Sequence, residues 1–403
     1  MSKPVFIHSM FRAGSTYLFN VFRKSESGYW CYEEPTHELA FLAQDNPELL
    51  LQFDLKKMND LLRHPQINIQ YFQELYDVWP AWKDKITEPS VYDNYFGLLD
   101  PEIGIDYWIS LITAAKGRPV MQECRTALRI NDIRNRIGGY HIFLWRNPWD
   151  QWMSYKVAEY FDTVNQIIIN GPCIPDEVTI LKKRLKMIPC IGQGLEKGFS
   201  YFAERPLDSS ESYLVFYMLW CLTLRHGSLF SDLLLNIDQL TDSAEYQLYT
   251  KRLLLENDIA GIDFSECRIF QGYYSDMDKE FFMVLEKEVH ECLFLSGWSD
   301  EDVMKLSDLR KQYEPAIRSV SLDSDRERIL AQQIERLLSL ERFYESKSAH
   351  KSREIMDLQV KVEESDMKVL ATEAILREVY NSPSWRITAP LRFVFGSLKK
   401  IFN

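Results

Sequence analysis

The sequence contains no long hydrophobic run, and this absence excludes a membrane-spanning class of protein. No stretch of its 403 residues approaches the roughly 20 apolar residues that a membrane-spanning helix needs. The apolar stretch of Val5, Phe6 and Ile7 near the N-terminus is too short for a secretion signal, and a polar loop follows it at once. We therefore expect a protein that is made and kept in the cytoplasm.

Paired cysteines are also lacking. The chain has seven cysteines, which are widely spread, and no two of them form a C-x-x-C pair. They are Cys31, Cys124, Cys173, Cys190, Cys221, Cys267 and Cys292. An odd, scattered set fits neither a disulfide framework nor a zinc module, so no metal is expected and a reducing compartment fits best. Each cysteine is interpreted as a small buried apolar side chain.

Basic residues are too few to cover a nucleic-acid backbone. The 47 Lys and Arg residues stand against 59 Asp and Glu, which gives a formal net charge of −12. Because nucleic-acid binding needs a basic face, no nucleic-acid partner is expected. Any site for a small anion must be built from a few well-placed arginines and backbone amides.

Apolar material, by contrast, is plentiful. Hydrophobic residues make up 46% of the chain and aromatic residues 13%, which excludes global disorder. Short apolar segments at 4–10, 118–124, 140–145 and 233–237 alternate with helical patterns, the strongest of them at 212–226. This alternation predicts an α/β fold with a central parallel sheet flanked by helices.

The loop at residues 11–16 follows the first predicted strand and precedes a helix. Gly14 allows close backbone approach, and Ser15 and Thr16 can donate hydrogen bonds at the positive end of that helix. Arg12 adds a permanent charge that can reach a phosphate oxygen in a forked manner. A Walker loop needs a further Gly and a Lys, so we expect phosphate binding without the ATPase magnesium machinery. A Gly-Ser-Thr turn that merely caps a helix is the alternative.

A second candidate for anion binding follows the strand at 140–145. Pro148 suits the start of a helix, because it needs no amide donor there. Arg146 is therefore expected at the carboxyl edge of the sheet, where ligands bind, and Ser154 two turns into the helix. An Arg that caps the sheet and a Ser on a helix surface are the alternative interpretation.

Acidic residues cluster about twenty positions after the first loop. Glu33, Glu34 and Glu38 surround Pro35 and His37. A carboxylate whose pKa is raised by burial can take a proton from a hydroxyl, which makes this segment a candidate for acid–base chemistry. A solvated turn is the alternative.

These three segments together resemble the sulfotransferases that use 3′-phosphoadenosine-5′-phosphosulfate (PAPS). In that family the first strand ends in a basic residue, a hydroxyl residue, Gly and two more hydroxyl residues, which wrap the 5′-phosphosulfate. The run from Arg12 through Gly14 to Thr16 matches this loop, except that Ala13 lacks the hydroxyl. The resemblance covers about residues 3–300.

The resemblance extends to the other two segments. An Arg and a Ser eight residues apart grip the 3′-phosphate in this family, and Arg146 and Ser154 have that spacing. Carbohydrate sulfotransferases often carry an aromatic residue and Glu-Pro where this chain has Glu34, and that Glu can serve as the base. Other branches use His, and His37 is near.

The resemblance implies a P-loop-like α/β domain that transfers a sulfuryl group from PAPS to a hydroxyl of a carbohydrate, such as a bacterial cell-surface glycan or its precursor. Helices within 38–116 and 155–210 would form the acceptor cleft. The implied catalytic residues are Glu34, His37 and Arg12. The implied donor-binding residues are Arg12, Ala13, Gly14, Ser15, Thr16, Arg146 and Ser154.

Two further arginines follow the strand at 118–124. Arg125 and Arg129 are four residues apart, which predicts a shared helix face. They could contact PAPS or an anionic sugar, or form salt bridges with Glu123 or Asp132.

The character of the chain changes near residue 301. The predicted divisions are a sulfotransferase domain at 1–300, a helical extension at 301–345, a short coiled-coil helix at 346–380 and a basic amphipathic tail at 381–403.

The last two of these segments suggest partners. Apolar residues spaced by seven predict a homo-oligomer through 346–380, or else a helix that packs on its own domain. The basic, aromatic-rich residues at 385–403 suit an anionic membrane surface at the inner face of the cytoplasmic membrane, or else dock on the body.

Two rival functions complete the sequence-based expectations. One is a P-loop-type kinase of a nucleoside or sugar, against which the missing Walker Lys counts. The other is a non-catalytic scaffold that keeps the fold but acts through its coiled coil.

Overall fold

The structure is a computed structural model that describes most of the chain up to residue 317. The described residues are 3–52, 70–156, 159–187, 194–269, 271–272 and 274–317. The predicted coiled coil at 346–380 and the predicted tail at 381–403 lie outside them, and so do the oligomer and membrane contacts expected there. Within the described ranges, no helix has both the length and the apolar character to cross a membrane.

A parallel sheet of five strands forms the centre of the described part. The strands are β1 (Val5–Ser9), β2 (Tyr29–Glu33), β3 (Arg118–Glu123), β4 (Tyr140–Trp145) and β5 (Leu233–Asn236). Their order across the sheet is β2-β3-β1-β4-β5, and each neighbouring pair is parallel. The α/β class with a central parallel sheet, which the alternating sequence pattern predicted, is confirmed.

Helices fill the connections between the strands. In chain order they are α1 (Ser15–Arg23), α2 (Glu38–Leu42), α3 (Glu48–Leu51), α4 (Gln73–Asp77), α5 (Trp79–Trp82), α6 (Ile105–Ala114), α7 (Ile130–Ile137), α8 (Pro148–Tyr155), α9 (Tyr160–Ile169), α10 (Asp176–Arg184), α11 (Leu195–Ala203), α12 (Ser209–Phe230), α13 (Ile237–Asp242), α14 (Ala244–Leu255), α15 (Asp276–Leu295) and α16 (Asp300–Gln312). A short 3-10 turn covers Glu88–Ser90.

Helices cover both faces of the sheet because successive side chains of a strand point to opposite faces. Val5 and Ile7 of β1 pack in one apolar cluster with Leu18 of α1. Phe6, between them, packs in a different cluster with Trp108 of α6. Strands β1, β4 and β5 are therefore mainly apolar, as expected for a sheet that is buried on both sides, whereas β3 also carries Arg118, Gln122 and Glu123.

Strand β2 (Tyr29–Glu33) was not predicted, and the reason is its position. It lies at the edge of the sheet, next to β3 alone, and its first two residues are only half-buried. Its residues are three aromatic residues, Cys31 and Glu33, so it has no aliphatic residue of the kind that the predicted strands contain. The region 38–116, predicted to be mostly helical, contains several short helices joined by turns.

The first part of the predicted helical extension belongs to the core of the body. Val303 and Leu306 of α16 are buried in the same apolar cluster as α12 and α15. Arg310 forms an ion pair with Glu286 at 2.8 Å and lies 4.5 Å from the ring centre of Trp149 in α8. Helix α16 therefore contacts α8, the helix that carries Ser154.

Two buried histidines connect β1 and β4. His141 Nε2 lies 3.2 Å from the Gly138 carbonyl oxygen, which can only accept, so Nε2 carries the proton. Its Nδ1 then accepts from His8 Nε2 at 3.0 Å, and His8 Nδ1 accepts from the Thr126 hydroxyl at 2.8 Å. Both rings are thus neutral when all these hydrogen bonds are made. Burial lowers the pKa of His141 to about 4 and lowers that of His8 well below its usual value.

We predict that this pair makes the fold sensitive to acid. A histidine whose pKa is lowered by folding binds protons more readily when unfolded, so stability falls as the pH drops from about 6.5 towards 4. His141 alone should cost about 2 kcal/mol of unfolding free energy between pH 6.5 and pH 5. Urea denaturation across this range measures it, and the His141→Gln variant should show a slope smaller by about one proton. Equal stability of the wild type at pH 7 and pH 5 would contradict the prediction.

Candidate active site at the carboxyl edge of the sheet

The parallel sheet brings all three predicted segments to one edge. The loop with Arg12 follows β1, Glu34 follows β2, and Arg146 follows β4. Arg125, which follows β3, reaches the same place. In an open parallel sheet this edge is where ligands bind.

The loop between β1 and α1 has a backbone that favours anion binding. Arg12 and Gly14 both have positive φ angles, of 62° and 91°. Gly14 is the N-cap of α1, and no side chain caps the helix there. The first turn of α1 carries no acidic residue either, so no carboxylate in that turn neutralises the positive end of the helix beside the loop. Gly14 thus caps α1 through its backbone, as the alternative of a turn that caps the helix also requires.

Arg12 and Ser154 meet directly. The Arg12 Nε donates a hydrogen bond to the Ser154 hydroxyl at 2.9 Å. The Gln151 side-chain amide donates to the Phe11 carbonyl oxygen at 2.8 Å, which makes a second link between the loop and α8. The guanidinium of Arg12 also lies 5.6 Å from the ring centre of Phe161. Two sequence segments that are 142 residues apart therefore form one site.

Helix α8 begins at Pro148, as predicted, and Asn147 caps it by accepting from the Asp150 amide at 3.1 Å. Asp150 is buried and accepts from the Gly272 amide at 2.6 Å and the Tyr274 hydroxyl at 2.8 Å. These bonds fix the first turn of the helix, and hence the position of Ser154 two turns on.

Arg146 is buried beside the carboxylate of Asp238. Its Nε lies 3.5 Å from Asp238 Oδ1, and the backbone amide of Asn147 donates to Asp238 Oδ2 at 2.7 Å. Burial raises the pKa of Asp238 to about 6, although the charge of Arg146 works in the opposite direction. Trp220 of α12 donates to the Arg146 carbonyl oxygen at 3.0 Å and fixes its backbone.

Glu34 has a strained backbone that its neighbours hold in place. Its φ angle is 41°, which is uncommon for a residue other than Gly. The Glu34 amide donates to the Gln122 carbonyl oxygen at 2.9 Å, and Tyr107 donates to the Pro35 carbonyl oxygen at 2.6 Å. Thr36 donates to the Glu123 carboxylate from its amide at 2.8 Å and from its hydroxyl at 2.5 Å. Strain that is held by so many contacts is typical of functional sites.

Arg125 lies at the centre of an acidic cluster that consists of Glu34, Glu38 and Glu123. Its side chain is fully buried, and its Nη1 donates to Glu34 at 2.7 Å. The same nitrogen lies 3.4 Å from Glu123, so that predicted salt bridge is confirmed. The Nη2 donates to Glu38 at 3.0 Å.

The predicted helix face shared by Arg125 and Arg129 is wrong. Helix α7 begins at Ile130, so Arg125 lies in the turn after β3, and Arg129 is the residue before the helix. Arg129 is also buried, and it donates to the Ile103 carbonyl oxygen at 2.6 Å.

The sequence predicted that burial raises the pKa of a carboxylate in this segment, but Glu34, the base candidate, is not that carboxylate. Burial does raise the pKa of Glu34, but the charges of Arg125 and His37 outweigh it, and the net pKa lies below the usual value. The neighbouring carboxyl of Glu33 is the one whose pKa burial raises well above the usual range. Glu38 also ionises easily, since His37 and Arg125 outweigh its burial and bring its pKa to about 2.

His37, the other base candidate, is the N-cap of helix α2. It caps α2, because its Nδ1 accepts a hydrogen bond from the Leu39 amide at 3.0 Å. The same nitrogen lies 3.5 Å from Glu38 Oε2. Burial lowers the pKa of His37, although the neighbouring Glu38 and Glu34 favour its charged form. One of its two ring nitrogens is therefore committed to the helix cap.

Cys124 is a site residue that sequence reasoning did not find. Its sulfur lies 3.6 Å from the Ser15 hydroxyl at the start of α1 and 3.8 Å from Glu34 Oε1. Cys124 therefore contacts both α1 and the acidic cluster. Burial raises the pKa of its thiol, which keeps it protonated. A single buried Cys looks like an apolar side chain in sequence, and only the position after β3 could have drawn attention to it.

Comparisons with known proteins add little to this geometry. No protein-family model matches the chain. No curated protein matches it significantly. Among solved structures, the crystal structure of sulfotransferase STF9 from Mycobacterium avium aligns with 9% sequence identity and a TM-score of 0.33, over 79% of each chain. So low a TM-score carries no argument, and the functional conclusion must come from the site itself.

We predict that a side chain at position 14, in the loop between β1 and α1, destabilises the fold more than a side chain at position 28. Gly14→Ala and Gly28→Ala both place a side chain at positive φ, which costs about 1 kcal/mol each. At position 14 the new Cβ would also lie 3.1 Å from Ile237 Cγ1, whereas nothing lies within 4 Å at position 28. Urea denaturation should therefore show that Gly14→Ala is the less stable variant by about a further 1 kcal/mol. Equal losses would mean that the loop can move away from Ile237.

Proposed function

We propose that this protein is a sulfotransferase that moves a sulfuryl group from PAPS to a hydroxyl of a carbohydrate acceptor. The observation that supports this most is the hydrogen bond between Arg12 and Ser154, at 2.9 Å. It unites the loop proposed for the 5′-phosphosulfate with the helix proposed for the 3′-phosphate. Glu34, the proposed base, lies at the same edge of the sheet.

The donor would be held by charge and by backbone amides. The amides at the start of α1 point towards the loop, and the helix end favours negative charge there. Arg12 would stabilise the charge that grows on the bridging oxygen as the sulfur–oxygen bond breaks. Arg146 and Ser154 would bind the 3′-phosphate, with the position of Arg146 fixed by Trp220.

Glu34 would act as the base. In the proposed step the acceptor oxygen forms a bond to sulfur, its proton passes to Glu34, and the electron pair of the broken bond stays on the phosphate of the leaving bisphosphate. Its carboxylate is ionised at neutral pH, since its pKa is lowered, and its side chain is about 13% exposed. It can therefore meet an acceptor without first losing a proton.

Aromatic rings beside the acidic cluster support a carbohydrate acceptor. Tyr160 and Phe199 are half-buried and stack with ring centres 5.9 Å apart. Tyr160 also donates to Glu38 at 2.7 Å, which places the pair next to the cluster. Aromatic faces with polar tips suit a ligand that is apolar on one face and wet at its edge. We further propose a bacterial surface glycan or its precursor as the acceptor, with the reaction in the cytoplasm.

The proposal predicts binding of adenosine 3′,5′-bisphosphate, the product of the donor, with a low-micromolar dissociation constant in calorimetric titration. Arg146→Ala should abolish binding, and Ser154→Ala should weaken it about tenfold through the loss of one hydrogen bond to a charged group. Arg136→Ala is the matched control, since Arg136 pairs with the exposed Glu102 and should bind normally.

The same titration with ATP and magnesium separates the rival functions. Binding of magnesium–ATP without binding of the bisphosphate would favour a kinase of a nucleoside or sugar. No binding of either nucleotide would favour a non-catalytic scaffold. Either result would contradict the sulfotransferase proposal.

A further inference from the structure

One arginine in this site has no route to a substrate. The side chain of Arg125 is fully buried, and its guanidinium lies 5.1 Å from the ring centre of Phe11 and 5.2 Å from that of Tyr92. An anion from solvent would have to displace these rings as well as the carboxylates that Arg125 already binds. Arg125 must therefore act through its neighbours and not by contact with a ligand.

Arg125 has five neighbours, which come from separate parts of the chain. The guanidinium contacts Glu34 after β2, Glu38 in α2, Glu123 at the end of β3, Tyr92 in the 38–116 region and Tyr160 in α9. Three carboxylates contact Arg125, which carries a single positive charge. Removal of this charge would leave buried acids without a compensating charge, which lowers the free energy of unfolding.

The planar geometry of the group fixes two acids at once. Nη1 donates to Glu34 Oε2, and Nη2 donates to Glu38 Oε2, so the two carboxylates take a set distance from each other. Glu34 Oε1 accepts a hydrogen bond from the Tyr71 hydroxyl at 3.2 Å and lies 3.8 Å from the Cys124 sulfur. The two oxygens of Glu34 therefore have separate partners, and Arg125 holds Oε2.

We propose that Arg125 is the positioning residue of this site: it fixes the carboxylate of Glu34 relative to Glu38 and acts on the acceptor hydroxyl only through Glu34. This inference rests on the proposed sulfotransferase function. It assigns Arg125 to the base and not to the donor or to an anionic sugar, the two contacts that the sequence had suggested for it.

The charge of Arg125 has a consequence for pH dependence. The groups that act electrostatically on Glu34 are Arg125, His37, Glu38, Glu33, Glu123, Tyr71 and Cys124. Arg125 is the largest influence that favours the ionised form, and it opposes the effect of burial. Without it, burial and the adjacent acids would raise the pKa of Glu34, so the base would lose its charge at a higher pH.

Arg125→Met and Arg125→Lys in the full-length protein test the inference, with Arg129→Met as the matched control. Arg129 is a buried arginine four residues away, and it donates a hydrogen bond to the Ile103 carbonyl oxygen at 2.6 Å. The ionisation of Glu34 is followed by the carboxyl carbon-13 NMR signal, assigned by its loss in Glu34→Gln. Bisphosphate affinity and turnover with PAPS are measured on the same samples.

Arg125→Met should raise the midpoint of the Glu34 titration by at least about one pH unit. It should also lower kcat about 100-fold and leave the bisphosphate affinity unchanged. Arg125→Lys should keep the low midpoint but still lose kcat, since an ammonium cannot hold both carboxylates in one plane. Arg129→Met should leave the midpoint where it is. Because the NMR titration needs no acceptor, it reads out even before an acceptor is known.

An unmoved Glu34 midpoint in Arg125→Met, or a fully active Arg125→Lys, would overturn the inference alone. If Arg125→Met fails to fold, Arg125→Lys decides by its kcat at normal bisphosphate affinity. A wild-type protein that binds no bisphosphate would overturn the proposed function and this inference together, so the two failures are distinguishable.

Discussion

The parallel pairing of β1 with β3 and β4 is the constraint on which the site depends. Val5 pairs with both Val120 and Tyr140, so the three strands begin and end almost level. Their carboxyl ends open to one edge, together with that of β2, which pairs with β3. A shift of register by one residue would turn every inward side chain to the opposite face. The register thus places residues from distant parts of the chain within hydrogen-bond reach of each other.

An acidic protein can bind an anion if some of its arginines compensate its acids while others remain for the ligand. Arg125 is used by three carboxylates and stays buried, so its charge serves the acids of the site. Arg12 is half-buried in a loop whose helix end is also positive, and Arg146 is shielded beside Asp238. The net charge of −12 therefore says little about this edge of the sheet. Local backbone geometry and a few arginines decide what can bind there.

Much of the fold could be predicted from the sequence where the local signal is strong. Strand β4 at 140–145 and the helix that starts at Pro148 have the predicted bounds, because a buried apolar run and a proline are both local features. Strand β2 escaped prediction, since it contains no aliphatic residue and its first two residues are only half-buried. The meeting of Arg12 with Ser154 follows from parallel topology, and only the family resemblance suggested it in advance.

The electrostatics of the site could not be read from the sequence. Glu33 and Glu34 are adjacent, yet their pKa values shift in opposite directions. The cause is Arg125, which is 91 residues from Glu34 in sequence and 2.7 Å from it in space. No spacing rule relates these two positions, because their contact depends on two separate strands that end at the same edge. The roles of the named residues in catalysis remain predictions.

The central claim is that this edge of the sheet holds a nucleotide by both of its phosphates. Hydrogen exchange, followed by mass spectrometry with and without adenosine 3′,5′-bisphosphate, measures this at the level of the backbone. Peptides that cover residues 12–18 and residues 146–156 should exchange more slowly when the bisphosphate is bound, because both helix starts would be in contact with it. Unchanged exchange in both segments, or protection confined to other parts of the chain, would contradict the account.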